Sequence, residues 1–400
     1  MESFDPARFV EEQSREIKRI IGAERALVAV SGGVDSSTCA VLTRKAIGEN
    51  LTCVFLDDAF MREGEPETVA EALRKEPLNV PVKIVNVQER FINAMKGLVD
   101  AEEKRRRFRE TFYQVLSEIA HSEGCRFLVQ GTIKADIIET VGGVKTQHNV
   151  LEQVGINPAE QFGFKVVEPL KMLYKWQVRA VARYLGLPPE ISERQPFPGP
   201  GLSIRVVGEI RPDKLEALKK TTAIVEKSLS SYKPSQYFAF IIDNVAYDVD
   251  SSATHIREAA ARFLNVPSRN VRVIIFRDRA TGIRGGKRSY GRVLGLKVET
   301  PKGEIYPADI RNLLSLQAKI LNEHPEFSRM LYMIRESQAD KPYVIGIRAV
   351  ETKDFLTAEV SNIPWKVLDE IALEVLSERS DIAAVYYDIT PKPPGTIEME

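Results

Sequence analysis

The sequence predicts an α/β protein. A doubly wound parallel sheet is expected over residues 1–200, and an α+β half with an internal duplication over 201–400. Two observations predict the first half. Short β-branched runs alternate with stretches of helical spacing. The turn leaving the first run is Ser31-Gly32-Gly33-Val34-Asp35-Ser36-Ser37, which joins a strand to a helix start. The second half is predicted by a repeat. Val293-Leu294-Gly295-Leu296-Lys297 matches Val344-Ile345-Gly346-Ile347-Arg348, and Val-Glu-Thr follows each, at 298–300 and 350–352. Each copy then runs into a helix and an apolar strand, as tandem units do.

In order, residues 5–20 read as an amphipathic helix with Phe9, Ile17 and Ile20 among charges. Ala26–Val30, Leu51–Leu56, Val82–Val85 and Phe127–Gln130 read as strands. Helices are expected at Glu65–Lys75, over 101–123 and at Lys171–Leu185, where Gly186-Leu187-Pro188-Pro189 stops the last. The segment Pro196-Phe197-Pro198-Gly199-Pro200-Gly201 is stiff and extended, partly a linker. In the duplicated half, helices are expected at Pro307–Leu321 and Pro364–Leu376, with strands at Arg329–Ile334 and Ala384–Ile389.

The chemistry concentrates on the rim beyond the carboxyl ends of the strands, where open parallel sheets bind ligands. At the Ser31 turn the two glycines let the backbone approach a ligand, and the N–H groups of the next helix favour an anion. Asp35 beside a phosphate implies a divalent cation between them. No Gly-Lys-Ser/Thr follows, so this is not a Walker A loop. Backbone groups around Phe55–Asp57, Leu56 among them, are candidates for reading adenine. Asp136 is either a magnesium ligand alongside Asp35 or a helix N-terminal acid complementing the dipole. Residues 141–163 have the length of a lid, with Lys145 and His148 able to close over phosphates; a lone His is more often structural. Lys104-Arg105-Arg106-Arg107 reads as a solvated helix face offset by Glu102, Glu103 and Glu110, with phosphate contact as the minority alternative. Arg205 can pair with a phosphate. The proline-stiffened tail offers Lys392 and Glu398 to a ligand phosphate and a ligand N–H.

Composition narrows the class. Lys+Arg and Asp+Glu both number 56, so there is no broad electrostatic grip on nucleic acid. Cys39, Cys53 and Cys125 have neither metal-site nor disulfide spacing, which implies a reducing compartment. The start is no signal peptide and no apolar run is long enough to span a bilayer, so a cytoplasmic protein without a membrane partner is expected.

The Ser31–Ser37 turn resembles the pyrophosphate loop of the N-type ATP pyrophosphatases, with their adenine nucleotide alpha hydrolase-like fold. With Gln-Gly-Thr-Ile at 130, Lys-Thr-Gln-His-Asn at 145, Pro-Phe-Pro-Gly-Pro-Gly-Leu at 196, Arg-Ala-Val-Glu-Thr at 348 and the terminal Lys-Pro-Pro-Gly-Thr-Ile-Glu, the chain resembles the synthetase part of the GMP synthetase family. The sequence departs from that pattern at Ala59, Gln147 and Gln195, where glycine, a second histidine and histidine are usual, and at Lys134-Ala135 before Asp136, where a residue followed by proline is usual.

The resemblance implies a C–N ligase that adenylates XMP at O2 with ATP and aminates it with ammonia. It implies an ATP pyrophosphatase domain over 1–200 and a dimerisation domain over 201–400, extended by a second α+β unit. Ser31, Gly32, Gly33, Val34, Asp35, Ser36, Ser37, Leu56, Gly131 and Lys171 would bind ATP. Asp35 and Asp136 would hold Mg2+, and Asp35, Lys145 and His148 would be catalytic. Pro198, Gly199, Arg205, Lys392, Ile397 and Glu398 would bind XMP. No cysteine sits at a nucleophile elbow, so a separate glutamine amidotransferase subunit is expected to deliver ammonia. The chain is expected as a homodimer or a pseudo-dimeric monomer. Two rivals share the loop: another adenylating or tRNA-thiolating enzyme, which would want a reactive cysteine pair, and a non-catalytic nucleotide sensor.

Overall fold

A computed structural model describes residues 4–134, 136–137, 158–247, 251–338, 340–353 and 356–400. They form two compact units, Met1–Ala94 with Arg106–Pro200, and Met95–Arg105 with Gly201–Glu400. The segment 95–105 thus groups with the second unit although it lies within the first half of the sequence.

The first unit alternates strand and helix. Its elements are α1 (Pro6–Ile21), β1 (Arg25–Ala29), α2 (Val34–Ile47), β2 (Leu51–Asp57), α3 (Glu65–Arg74), β3 (Val82–Asn86), α4 (Gln88–Met95), α5 (Ala101–Ser122), β4 (Cys125–Val129), α6 (Pro158–Phe162), β5 (Lys165–Val167), α7 (Lys175–Tyr184) and α8 (Pro189–Ser192). The sheet order is β3-β2-β1-β4-β5 and every pairing is parallel. The order reverses at β1, so ligand space opens beyond its end. The strands read as unbroken apolar runs because helices cover both faces. Ala26, Val28, Cys53, Phe55 and Val129 pack with Val41, Leu42, Val178 and Val181 of the helices. The helix expected from Lys171 begins instead at Lys175. Leu170 and Leu173 are buried in a turn, and the Gln177 side chain accepts from Tyr174 N at 2.8 Å, which fixes the helix start.

The second unit holds α9 (Pro212–Leu229), β6 (Gln236–Asp243), α10 (Ser251–Leu264), β7 (Val271–Arg284), β8 (Lys287–Val298), α11 (Ile310–Glu323), β9 (Phe327–Glu336), β10 (Tyr343–Glu351), β11 (Glu359–Val360), α12 (Trp365–Glu378) and β12 (Ile382–Asp388). The duplication is real and larger than the sequence suggests. β8-α11-β9 and β10-α12-β12 are each a parallel β-α-β unit, and their second strands pair antiparallel at the centre. An antiparallel strand lines each outer edge, β7 on β8 and β6 on β10. Each half is therefore α-β-β-α-β, and the α10-to-β9 copy is inserted between β6 and β10 of the other. A pseudo-two-fold axis passes between Tyr332 and Tyr387, which face each other across β9 and β12. Each tyrosine donates to the loop before its own copy's helix, Tyr332 to Tyr306 O at 2.7 Å and Tyr387 to Ser361 O at 2.5 Å.

Candidate functional site

The nucleotide loop sits where β1 turns into α2. Gly33 is the N-cap of this 14-residue helix, and no side chain caps it. Its first-turn amides are thus available to an anion. Ser36 Oγ accepts from Ser31 N at 3.1 Å and closes the loop on itself. Gly32 has φ +75°, which a side chain would strain. A Cβ on Gly131, just past β4, would lie 2.9 Å from both Asp35 C and Ser36 N. Strand β4 therefore buttresses the loop through a position that only glycine can fill.

Two polar atoms at the loop are buried without a hydrogen-bond partner among the described residues, Asp35 Oδ1 and the Ser37 hydroxyl. Such atoms are expensive unless a ligand satisfies them. The other Asp35 oxygen, Oδ2, accepts from Lys175 Nζ at 2.6 Å. Lys175 is the basic partner at this loop; the expected Lys171 is exposed, in the turn four residues earlier. The orphaned Asp35 oxygen fits a divalent cation. Asp136, just past β4, accepts from Ile133 N at 3.0 Å through Oδ2. Lys145 and His148 lie outside the described residues.

Leu56 occupies β2, where Val54 O accepts from Val30 N at 2.9 Å and β1 then turns away. Backbone groups two residues apart point to the same strand edge. The Leu56 N–H and C=O therefore point past the end of β1, suited to reading a base edge. Behind the loop, Glu65, 4% exposed, accepts from Arg194 Nη1 at 2.5 Å, and Arg62 lies 4.1 Å over the Phe197 ring. These contacts hold the stiff segment in which Pro198 and Gly199 are half-buried. Burial pushes the Cys39 thiol well up, so it is no nucleophile.

In the second unit the tail after β12 is held along its backbone. Asp388 is shared by two fully buried guanidiniums, Arg329 at 3.1 Å and Arg348 at 3.0 Å. Burial first, then Arg348, pull Arg329 below its ordinary value, and Asp388 opposes them. Arg348 donates to Thr396 O at 2.8 Å and Ile397 O at 3.1 Å, and Arg329 to Glu398 O at 2.6 Å. Strand β7 adds Ile283 N to Pro394 O at 2.6 Å and Thr281 N to Met399 O at 2.8 Å. Arg329 and β7 belong to the inserted copy, so both copies grip one tail. Arg205, stacked 3.9 Å over Phe238, donates to both Glu398 oxygens at 2.9 and 3.0 Å. The two expected ligand groups are thus also each other's partners. The backbone of Lys392 pairs with Ala358. The sequence reading of Lys104 as a solvated face fails: it is fully buried, pairs with Glu400 and donates to Val206 O, because its turn of α5 meets the Ile204–Gly208 segment and the chain's last residue.

Sequence reasoning missed Lys175, Arg329 and Glu400 and misread Lys104. Lys175 has a signal, a lysine opening the helix after the last strand of a parallel sheet. The others meet partners 59 to 296 positions away, and no local pattern marks that.

Residues 9–200 match the NAD synthase family and residues 334–399 the GMP synthase C terminal domain. Curated relatives named as a subunit of glutamine-hydrolyzing GMP synthase include one from Sulfurisphaera tokodaii, 44% identical over 100% of both chains. Those from Saccharolobus solfataricus and Methanopyrus kandleri, of the same name, are 40% and 39% identical over 99% of this chain and 100% of theirs.

Proposed function

The chain belongs to this family of glutamine-hydrolyzing GMP synthase subunits, C–N ligases of GMP biosynthesis, and we propose how its residues divide that reaction. The reading rests on the uncapped α2 N-terminus with its two orphaned oxygens and Lys175 on Asp35. Ser31–Ser37 hold the β- and γ-phosphates of ATP. Leu56 reads adenine. The O2 of XMP attacks the α-phosphorus, the bond to the β-phosphate oxygen breaks, and pyrophosphate leaves. Ammonia then adds at C2, AMP departs with O2 as the C2–O2 bond breaks, and the added nitrogen loses a proton, leaving the amino group of GMP. No protein nucleophile is needed, so the protein contributes position and charge.

Mg2+, held by Asp35 with Asp136, would supply charge neutralisation on the phosphates when bound. Lys145 and His148 are the further catalytic groups of this reading. Arg205, Lys392, Ile397 and Glu398, with Pro198 and Gly199, take XMP. The Arg205–Glu398 pair orients itself before the ligand arrives and turns part of its hydrogen bonding to it. Ammonia comes from a separate glutamine amidotransferase subunit. The inserted copy in the second unit stands where a second chain's copy would stand in a dimer. The three buried free cysteines suit a reducing cytoplasm.

The test is pyrophosphate release with ATP, XMP and ammonium, using IMP and nicotinate adenine dinucleotide as competing acceptors. Release that needs XMP and ammonium is expected, and glutamine should not replace ammonium without the amidotransferase. Asp35→Ala should abolish release with an unchanged circular dichroism spectrum. Release with another acceptor, or ATP binding without turnover, would overturn the reading.

A further inference from the structure

The last residue of the chain is anchored as firmly as a core residue. The Glu400 side chain is 1% exposed, and its Oε1 accepts from Gly208 N at 2.8 Å. Its other oxygen pairs with Lys104, whose ammonium is also buried and donates to Val206 O at 2.8 Å. Glu400 N donates to Ile204 O at 3.1 Å, and Arg105 donates to the α-carboxylate of Glu400. The segment Ile204–Gly208 is thus zipped to Glu398–Glu400. Arg205 takes Glu398 at the centre, and Lys104 with Gly208 takes Glu400 at the end. Glu398 and Glu400 are two residues apart and read the same segment, as alternate residues of an extended chain do. An ion pair with both members out of water is costly to form, so it is weak evidence of a stabilising role. It does impose one geometry, since either charge left alone would be driven out of the site.

We propose that Lys104 and Glu400 are a positioning pair for XMP: they fix the end of the tail so that Glu398 and Ile397 are presented to the nucleotide without reordering. Neither touches the ligand. This rests on the assignment of XMP to the tail. Loss of either charge lets residues 398–400 leave the Ile204–Gly208 segment, and XMP must then reorder them at the expense of its own binding.

The test uses the full chain and two readouts, XMP affinity by calorimetry and steady-state KM for XMP and for ATP. Lys104→Met and Glu400→Gln should each weaken XMP by about tenfold or more, the scale of a lost charged contact, with ATP KM within about twofold. The double variant Lys104→Met/Glu400→Gln, which removes both charges of the pair, should recover most of that loss. Lys104→Arg, which keeps the charge, should stay near wild type. Unchanged XMP affinity in the folded single variants overturns the proposal. So does a parallel rise in ATP KM, which would mark a general loss of structure. Should the single variants fail to fold, Glu400→Asp keeps the charge but shortens its reach, and weakened XMP binding there is expected; wild-type affinity overturns the proposal. XMP-dependent pyrophosphate release by the wild type tests the functional assignment, so the two ideas fail separately.

Discussion

Asp388 carries one negative charge between two buried guanidiniums, and the ends of its carboxylate have different tasks. Oδ2 takes Arg329 and Arg348, while Oδ1 accepts from Thr390 N at 2.9 Å and turns the chain into the tail. Asp388→Asn would leave two guanidiniums uncompensated out of water. That should cost about 3–5 kcal/mol in urea unfolding, far above an ordinary surface change. A second acid reports on pH. Burial alone would raise the Asp243 carboxyl, but hydrogen bonds from Arg211 and the charge of Lys214 outweigh it and hold it below its ordinary value. Its folded value lies below its unfolded one, so the stabilisation is present above about pH 4 and is lost as pH falls through the folded value. Urea midpoints measured from pH 6 to pH 3 should fall in that window, and Asp243→Asn should flatten the fall. At this scale sequence was only partly legible. Asp35 and Glu398 stand in motifs, but Lys104 looked like any helix-surface lysine because its acid partner is 296 positions away.

Elements were more legible, because strand and helix periods are local. The loop strand, its helix and both copies of the β-α-β unit could be read from spacing, whereas the shift of the α7 start to Lys175 depends on burial of Leu170 and Leu173. The pairing of outer strands with the copies is invisible to local pattern, since β6 joins β10 across the whole inserted copy. Glycine marks where these pairings are tightest. Gly346 of β10 lies opposite Phe240 of β6, and a Cβ there would fall 1.9 Å from the Phe240 Cζ. Gly295, its counterpart in the other copy, would place a Cβ 3.0 Å from Phe276 of β7. Each copy thus seats an outer-strand aromatic on a glycine. Gly346→Ala overpacks a fully buried ring and should cost about 1–3 kcal/mol or more, read by urea unfolding. The same substitution at Gly295, where the neighbour needs to yield less, should cost less.

For the molecule as a whole, the two copies have diverged in charge while keeping their frame. The alignment that pairs Tyr332 with Tyr387 sets Arg329 against Ala384 and Asp388 against Met333. Lys297, which matches Arg348, pairs instead with Glu336 at 2.6 Å and Glu299 at 2.9 Å. The charged cluster that grips the tail exists once among the described residues, although the frame offers two related places. One XMP per chain is therefore expected by calorimetry, and light scattering should find the active species as a single chain. Two XMP per chain, or activity confined to a dimer, would contradict this.

The insertion of one copy within the other also sets a schedule for biosynthesis. Strand β6 leaves the ribosome with residues 236–243, but its partner at 343–350 is made only after the entire inserted copy. Until then β6 waits with an open hydrogen-bonding edge and an apolar face, the condition under which nascent chains stick to one another. Closure over so long a separation is slow. Collapse of the inserted copy would shorten that separation and bring the waiting strand and its late partner together, a template for its own host.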